Sequence, residues 1–203
     1  MKSVMISIKP KYCELIASGK KTVEVRKTKP KLIPPFKCYI YCTKPSKKYQ
    51  TVTGSMVLND DELFKLPNSE IKYGNSIELI VYDNYSKDNF LNGKVIGEFV
   101  CDNIYPIRYE RDGFYVADFI DCKTSCLKPR DFIVYGKGKP LYGWSISGLI
   151  IYDKPKELSE FEKPCNHNCF APCPHYRGKE YECEKPMITR PPQSWCYVEG
   201  AKE

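Results

Sequence analysis

A short run of residues near the N-terminus has the side chains and spacing that chemistry needs. In Gly19-Lys20-Lys21-Thr22-Val23-Glu24-Val25-Arg26, the polar residues Thr22, Glu24 and Arg26 fall at every second position behind a glycine and two lysines. Period two is the signature of a strand, so these three side chains are expected on one face, with Val23 and Val25 on the other, facing a core. A carboxylate so placed accepts from the exocyclic amine of a base. Neighbouring cations hold phosphate or carbonyl oxygen. The competing reading is a solvated strand whose charges pair with each other and do little else.

A second constellation lies near the C-terminus. Cys165-x3-Cys169-x3-Cys173-x9-Cys183-x12-Cys196 has His167 and His175 interleaved, and these are the two histidines of the chain. Zinc takes four soft or borderline ligands in a tetrahedron, and a segment without a core gains its fold from that binding. Cys165, Cys169, Cys173 and Cys183 are the best four, with His167 or His175 able to replace one. The expected cofactor is a structural zinc, and Cys196, between Trp195 and Tyr197, reads as a buried small residue. Thiols that are free or oxidised in pairs, and a four-thiolate iron–sulfur cluster, are the alternatives.

The elements around these residues set the frame. Residues 3–8, SVMISI, read as a strand. Pro10 opens a helix through KYCELIAS, and Gly19 closes it in the left-handed conformation. TVEVR is the next strand, KPKLIPP a connector and FKCYIYC another strand, with Cys38 and Cys42 on one face and core-packed. TVTGSMVLN and SIELIVYDNY are further strand candidates. KVIGEFVCDNIYPI reads as one long strand with a bulge at Gly97. Residues 110–140 are irregular or partly helical, ending in a GKGK turn, and GWSISGLIIYDKP is the final strand. Tyr142, Trp144 and Ser145 of that strand are candidates for stacking on a base and hydrogen-bonding to it, if the strand lines the site. Short strands between turn signals, with a minority of helix, point to an α+β fold built on a small mixed barrel.

Length and composition set the outer bounds. The 203 residues suffice for one domain with an appendage, and the composition shift near residue 160 puts the division at 1–158 and 159–203. A net charge of +7 favours a polyanionic partner. No apolar run approaches the ~18–20 residues of a membrane span, and MKSVMISIKPK alternates where a signal peptide would be apolar. A cytoplasmic location without a membrane partner follows, and there the eleven cysteines serve as buried thiols or metal ligands before they serve as disulfides.

The octapeptide from Gly19 to Arg26 resembles the GxKxxExR signature of the ASCH (activating-signal-cointegrator homology) domain, within the PUA-like superfamily. SIKPKYCELIASGKKTVEVR resembles the family's opening. YGWSISGLIIYDKPKELSEF and TRPPQSWCYVE are similar to segments of its phage and low-GC bacterial branch, whereas about 55–130 matches poorly. The resemblance implies a small PUA-like β-barrel with flanking helices and a cleft beside the signature, binding RNA or a nucleotide. On that reading the binding residues are Lys20, Lys21, Thr22, Glu24, Arg26, Tyr142, Trp144 and Ser145. Some relatives are enzymes, either ribonucleases or hydrolases of acetylcytidine. In the latter a catalytic lysine matches Lys21, making it the candidate catalytic residue, but Glu24 stands where they carry a nucleophilic threonine. A third reading is a protein-interaction module docking through the tail.

Overall fold

The protein is described from a computed structural model covering residues 2–44, 91–107, 119–165 and 185–201. The first strand, β1 (Lys2–Ile8), is buried from its second residue onward. Val4, Met5 and Ile6 are apolar in succession because both faces of the strand are covered: Val4, Ile6 and Ile8 belong to one core cluster and Met5 to another. Lys9 is extended, as a residue before proline prefers, and Pro10 starts helix α1 (Pro10–Ala17). Gly19 ends the turn that follows at φ 71°, a conformation open to glycine at little cost.

Strand β2 (Val23–Arg26) comes next, and residues 27–35 lead into β3 (Phe36–Cys42), which lies parallel to β1. Further along are β4 (Val95–Cys101), β5 (Ile104–Ile107), α2 (Phe119–Ser125), α3 (Pro129–Gly136), β6 (Leu141–Ser145), β7 (Ser147–Lys156), β8 (Phe161–Glu162) and β9 (Trp195–Ala201). A six-stranded mixed sheet has the order β7-β4-β3-β1-β9-β8, and a three-stranded sheet the order β2-β6-β5. Together they form a curled half-barrel of α+β type.

Two stretches expected to be single strands are each divided between the sheets. The chain leaves the large sheet after Cys101, turns at Asp102 and Asn103, and enters the small sheet as β5. It returns at Ile146, between β6 and β7, where the Ile146 amide donates to Thr22 O (2.9 Å). Alternation runs on through Trp144-Ser145-Ile146-Ser147, so periodicity alone joins β6 to β7, whereas the consecutive Asp102 and Asn103 are a turn signal that the single-strand reading passed over. The bulge expected at Gly97 is present: the β4–β7 register shifts between Val95 and Gly97, and a Cβ on Gly97 would stand 2.3 Å from Ile150 O.

The main core lies between the sheets and includes Cys38, Cys42, Phe99 and Trp144. A second cluster, with Tyr39, Tyr41, Phe161 and Val198, covers the other face of the large sheet. The third joins Val25, Ile107 and Leu141 of the small sheet to Phe132 of α3. Strand β9 pairs antiparallel with β1, so residues 195–201 of the stretch expected as a tail are an interior strand of the large sheet. Of the four expected zinc ligands, Cys169, Cys173 and Cys183 lie outside the described residues, as do His167 and His175, TVTGSMVLN and SIELIVYDNY. Among the described residues no group of three or more metal-binding side chains converges, and no helix is long and apolar enough to cross a membrane.

Candidate functional site

The turn after α1 fixes where Lys21 goes. Gly19 N donates to Ile16 O and Lys21 N to Leu15 O, both at 2.9 Å, folding the chain back over the helix end. Thr22 N then donates to Thr124 O (2.8 Å), fastening the start of β2 to α2. Clamped on both sides, the Lys21 side chain enters the interior and is 2% exposed. Its Nζ donates to Ser125 O (2.7 Å), the last carbonyl of α2, where a cation suits the negative end of the helix dipole.

The sequence places Val23 and Val25 against a core and Thr22, Glu24 and Arg26 on one wall of a cleft. Val23 and Val25 are buried as expected, and the face that carries Glu24 and Arg26 is covered as well. Val25 packs against Phe132 and Leu141 below the small sheet, and the opposite face turns toward the large sheet. Glu24 (6% exposed) and Arg26 (8%) therefore point between the sheets. Thr22 precedes the strand and is exposed, as is Lys20. Period two predicted which residues share a face. It had no means of telling that a second sheet lies over the polar one.

The charges form a connected chain. Lys21 Nζ lies 3.3 Å from Glu24 Oε2, and Arg26 Nη2 lies 3.1 Å from Glu24 Oε1. Arg26 Nη2 also donates to the backbone oxygen of Ser7 in β1. Glu24 stands opposite Trp144 in the β2–β6 ladder, and Arg26 opposite Tyr142. Trp144 is wholly buried, packed edge-on against Phe36 with ring centroids 6.0 Å apart. Tyr142 and Ser145 are half-buried. Tyr12 of α1 completes the surroundings, its ring centroid 5.2 Å from Lys21 Nζ. Burial raises the Tyr12 hydroxyl above its usual range, and the negative charges of Asp131 and Glu24 add to the effect.

Two features set this cluster apart from ordinary core. Lys21, Glu24 and Arg26 together carry a net charge of +1 beneath the surface, and no other buried ion pair joins them among the described residues. Glu24 Oε2, Arg26 Nε and Trp144 Nε1 are buried without a hydrogen-bond partner there. Oε2 feels the charge of Lys21 at 3.3 Å, in a geometry that makes no hydrogen bond. A carboxylate acceptor beside two N–H donors is the pattern that complements the edge of a nucleobase.

Sequence reasoning passed over Ser7 and Ser125, which contribute backbone oxygens that no side-chain pattern announces. It also treated KPKLIPP, residues 29–35, as a bare connector. The signal was present, in lysines at 27, 29 and 31.

Residues 6–89 match the family model of the ASCH domain. The match takes in part of the poorly resembling middle and ends before YGWSIS and TRPPQSWCYVE. No curated protein matches the chain. Among solved structures, the chain is similar to ASCH from Zymomonas mobilis. A Ser-to-Ala mutant of that protein aligns at 16% identity with a TM-score of 0.49, covering 97% of this chain and 88% of that one. A Tyr-to-Phe mutant aligns at 16% and 0.44, covering 78% and 77%. The unmutated protein aligns at 17% and 0.41, covering 77% and 73%.

Proposed function

With the ASCH-domain match over residues 6–89 as premise, we propose that this protein binds RNA or a nucleotide through the cluster around GKKTVEVR. ASCH domains belong to a PUA-like group often associated with RNA. The observation that carries the reading is the buried Lys21–Glu24–Arg26 set, with its excess positive charge and its three unpartnered polar atoms. Taking such groups out of water costs several kcal/mol per ion, and packing alone does not return it. A ligand bringing negative charge, carbonyl oxygens and an exocyclic amine offsets that cost. Glu24 Oε2 accepts from the amine, Trp144 Nε1 and Arg26 Nε donate to ring nitrogen or carbonyl oxygen, and Lys21 supplies the compensating charge. Tyr12 and Tyr142, both half-buried beside the cluster, are the side chains that a base would displace or stack upon.

The runner-up reading is a hydrolase acting on RNA or on acylated nucleosides, with Lys21 as base. The geometry favours binding, since Lys21 Nζ is committed as a donor to Ser125 O and held against Glu24. Fluorescence anisotropy with short RNA oligomers tests the proposal. Glu24→Gln, which keeps the shape, is expected to weaken binding on the order of tenfold or more, through the lost acceptor for the base. Unchanged affinity in Glu24→Gln overturns the base-reading role. Turnover of RNA or an acetylated nucleoside by the wild type, abolished in Lys21→Ala, replaces binding with the enzyme.

We also propose the structural zinc at Cys165, Cys169, Cys173 and Cys183, on the strength of their spacing. The interaction-module reading, with the tail as docking surface, would be favoured if a protein partner co-purified through the tail while RNA did not bind.

A further inference from the structure

The segment joining β2 to β3 is more than a connector. Its residues Lys27, Lys29 and Lys31 alternate and are all exposed, while Pro30 between them is buried. The segment is tied down at two points by the C-terminal strand: Trp195 Nε1 donates to Thr28 Oγ1 (2.9 Å), and Lys31 N donates to the Tyr197 hydroxyl oxygen (2.7 Å). None of the three lysines has a carboxylate partner among the described residues. Two of them rest on aromatic rings instead, Lys27 Nζ 4.9 Å from the centroid of Tyr135 and Lys29 Nζ 5.7 Å from that of Tyr142.

The aromatic side chains under this strap are continuous with the polar cluster. Trp144, opposite Glu24, lies 6.1 Å from Trp195, which lies 5.4 Å from Tyr197. Tyr142, Trp195 and Tyr197 are half-buried, each keeping part of its surface open. A row of cations above a shelf of rings is how proteins hold single-stranded nucleic acid: cations follow the backbone and rings stack the bases. The cation–ring contacts are weak at exposed positions and exchange readily, so a base can take the ring while the lysine turns to the phosphate.

We infer that the strap of Lys27, Lys29 and Lys31, with Tyr135 under Lys27, Tyr142 under Lys29, and Trp195 and Tyr197 bonded to Thr28 and Lys31, is a track for the single-stranded RNA flanking the base held at Glu24. This rests on the binding function proposed above and adds to it: the ligand is an oligomer, and a mononucleotide fills only one end of the site.

Anisotropy and calorimetric titrations of a mononucleotide and an RNA pentamer, across a range of salt concentrations, test the inference on the intact chain. The pentamer is expected to bind on the order of tenfold or more tighter than the mononucleotide. Each phosphate neutralised on a single strand contributes about 0.7 to the slope of log affinity against log salt, so Lys27→Ala/Lys29→Ala/Lys31→Ala should reduce the pentamer's slope by about 2. The same variant should weaken mononucleotide binding far less than pentamer binding, and Lys→Arg at the three positions should restore the slope. Equal affinity for the two ligands, or an unchanged slope in the triple-alanine variant, overturns the track while leaving the base site standing. If neither ligand binds the wild type, the track and the underlying function fall together.

Discussion

Replacing Lys21 by methionine keeps the apolar stem of the side chain and removes its charge, so packing changes little. Two interactions are lost. Ser125 O, at the end of α2, loses its 2.7 Å donor, and a buried carbonyl without a partner costs about 1–3 kcal/mol. Glu24 loses a cation at 3.3 Å, whose Coulomb attraction is about 5 kcal/mol at an effective dielectric of ~20. Against these stands the relief of no longer desolvating an ammonium. The balance for removing one member of a buried ion set is about 3–5 kcal/mol of lost stability. With a urea slope of ~2–3 kcal/mol per molar, the unfolding midpoint should fall by about 1–2 M. Adding Glu24→Gln removes the carboxylate that Lys21 balanced, so the double variant should be about 1–3 kcal/mol more stable than the two single effects predict by addition. Urea titrations followed by tryptophan fluorescence measure all of this. A loss below about 1 kcal/mol in Lys21→Met, or strict additivity in the pair, would show that the cluster is hydrated and uncoupled, and the argument from buried charge would fail.

Three other outcomes are expected. Glu98 on the outer face of the large sheet is hydrogen-bonded by Lys37 (2.7 Å) and Tyr152 (2.6 Å). Burial alone would raise its carboxyl, but these partners outweigh it and hold the group below its usual range. The folded pKa thus lies below the unfolded one, so the pair's contribution is present above about pH 4.3 and disappears as pH falls through the folded value. Lys37→Met should move the Glu98 titration upward by NMR and cost about 0.5–1 kcal/mol at neutral pH, Lys37 being nearly half exposed. Gly97→Ala should destabilise by about 1–3 kcal/mol or more, with faster hydrogen exchange along β7, because its Cβ meets Ile150 O at 2.3 Å. Metal analysis of purified protein should find about one zinc per chain, lost with the cysteines at 165, 169, 173 and 183, and a metal-free, fully folded protein would remove the staple.

The local signals in the sequence were sufficient for the local elements. Pro10 and Gly19 bracket α1, the apolar run of 3–8 makes β1, and Cys38 and Cys42 take core positions on one face of β3. Alternation also showed that Glu24 and Arg26 share a side of their strand. What period two does not carry is the identity of whatever lies across that side. Whether a polar face meets water or a second sheet depends on contacts between residues far apart in the chain, such as Arg26 with Ser7, and Lys21 with Ser125 across more than a hundred positions. The same limit hid the strand break at Ile146, where the chain changes sheets with its alternation intact, and the strap at 27–31, whose role depends on Trp195 and Tyr197 arriving from the far end. Sequence alone determined the charged residues and their order. Only the fold, by closing one sheet over another, decided that they are buried together, because burial is a property of surfaces that meet and not of the segment that carries the charge.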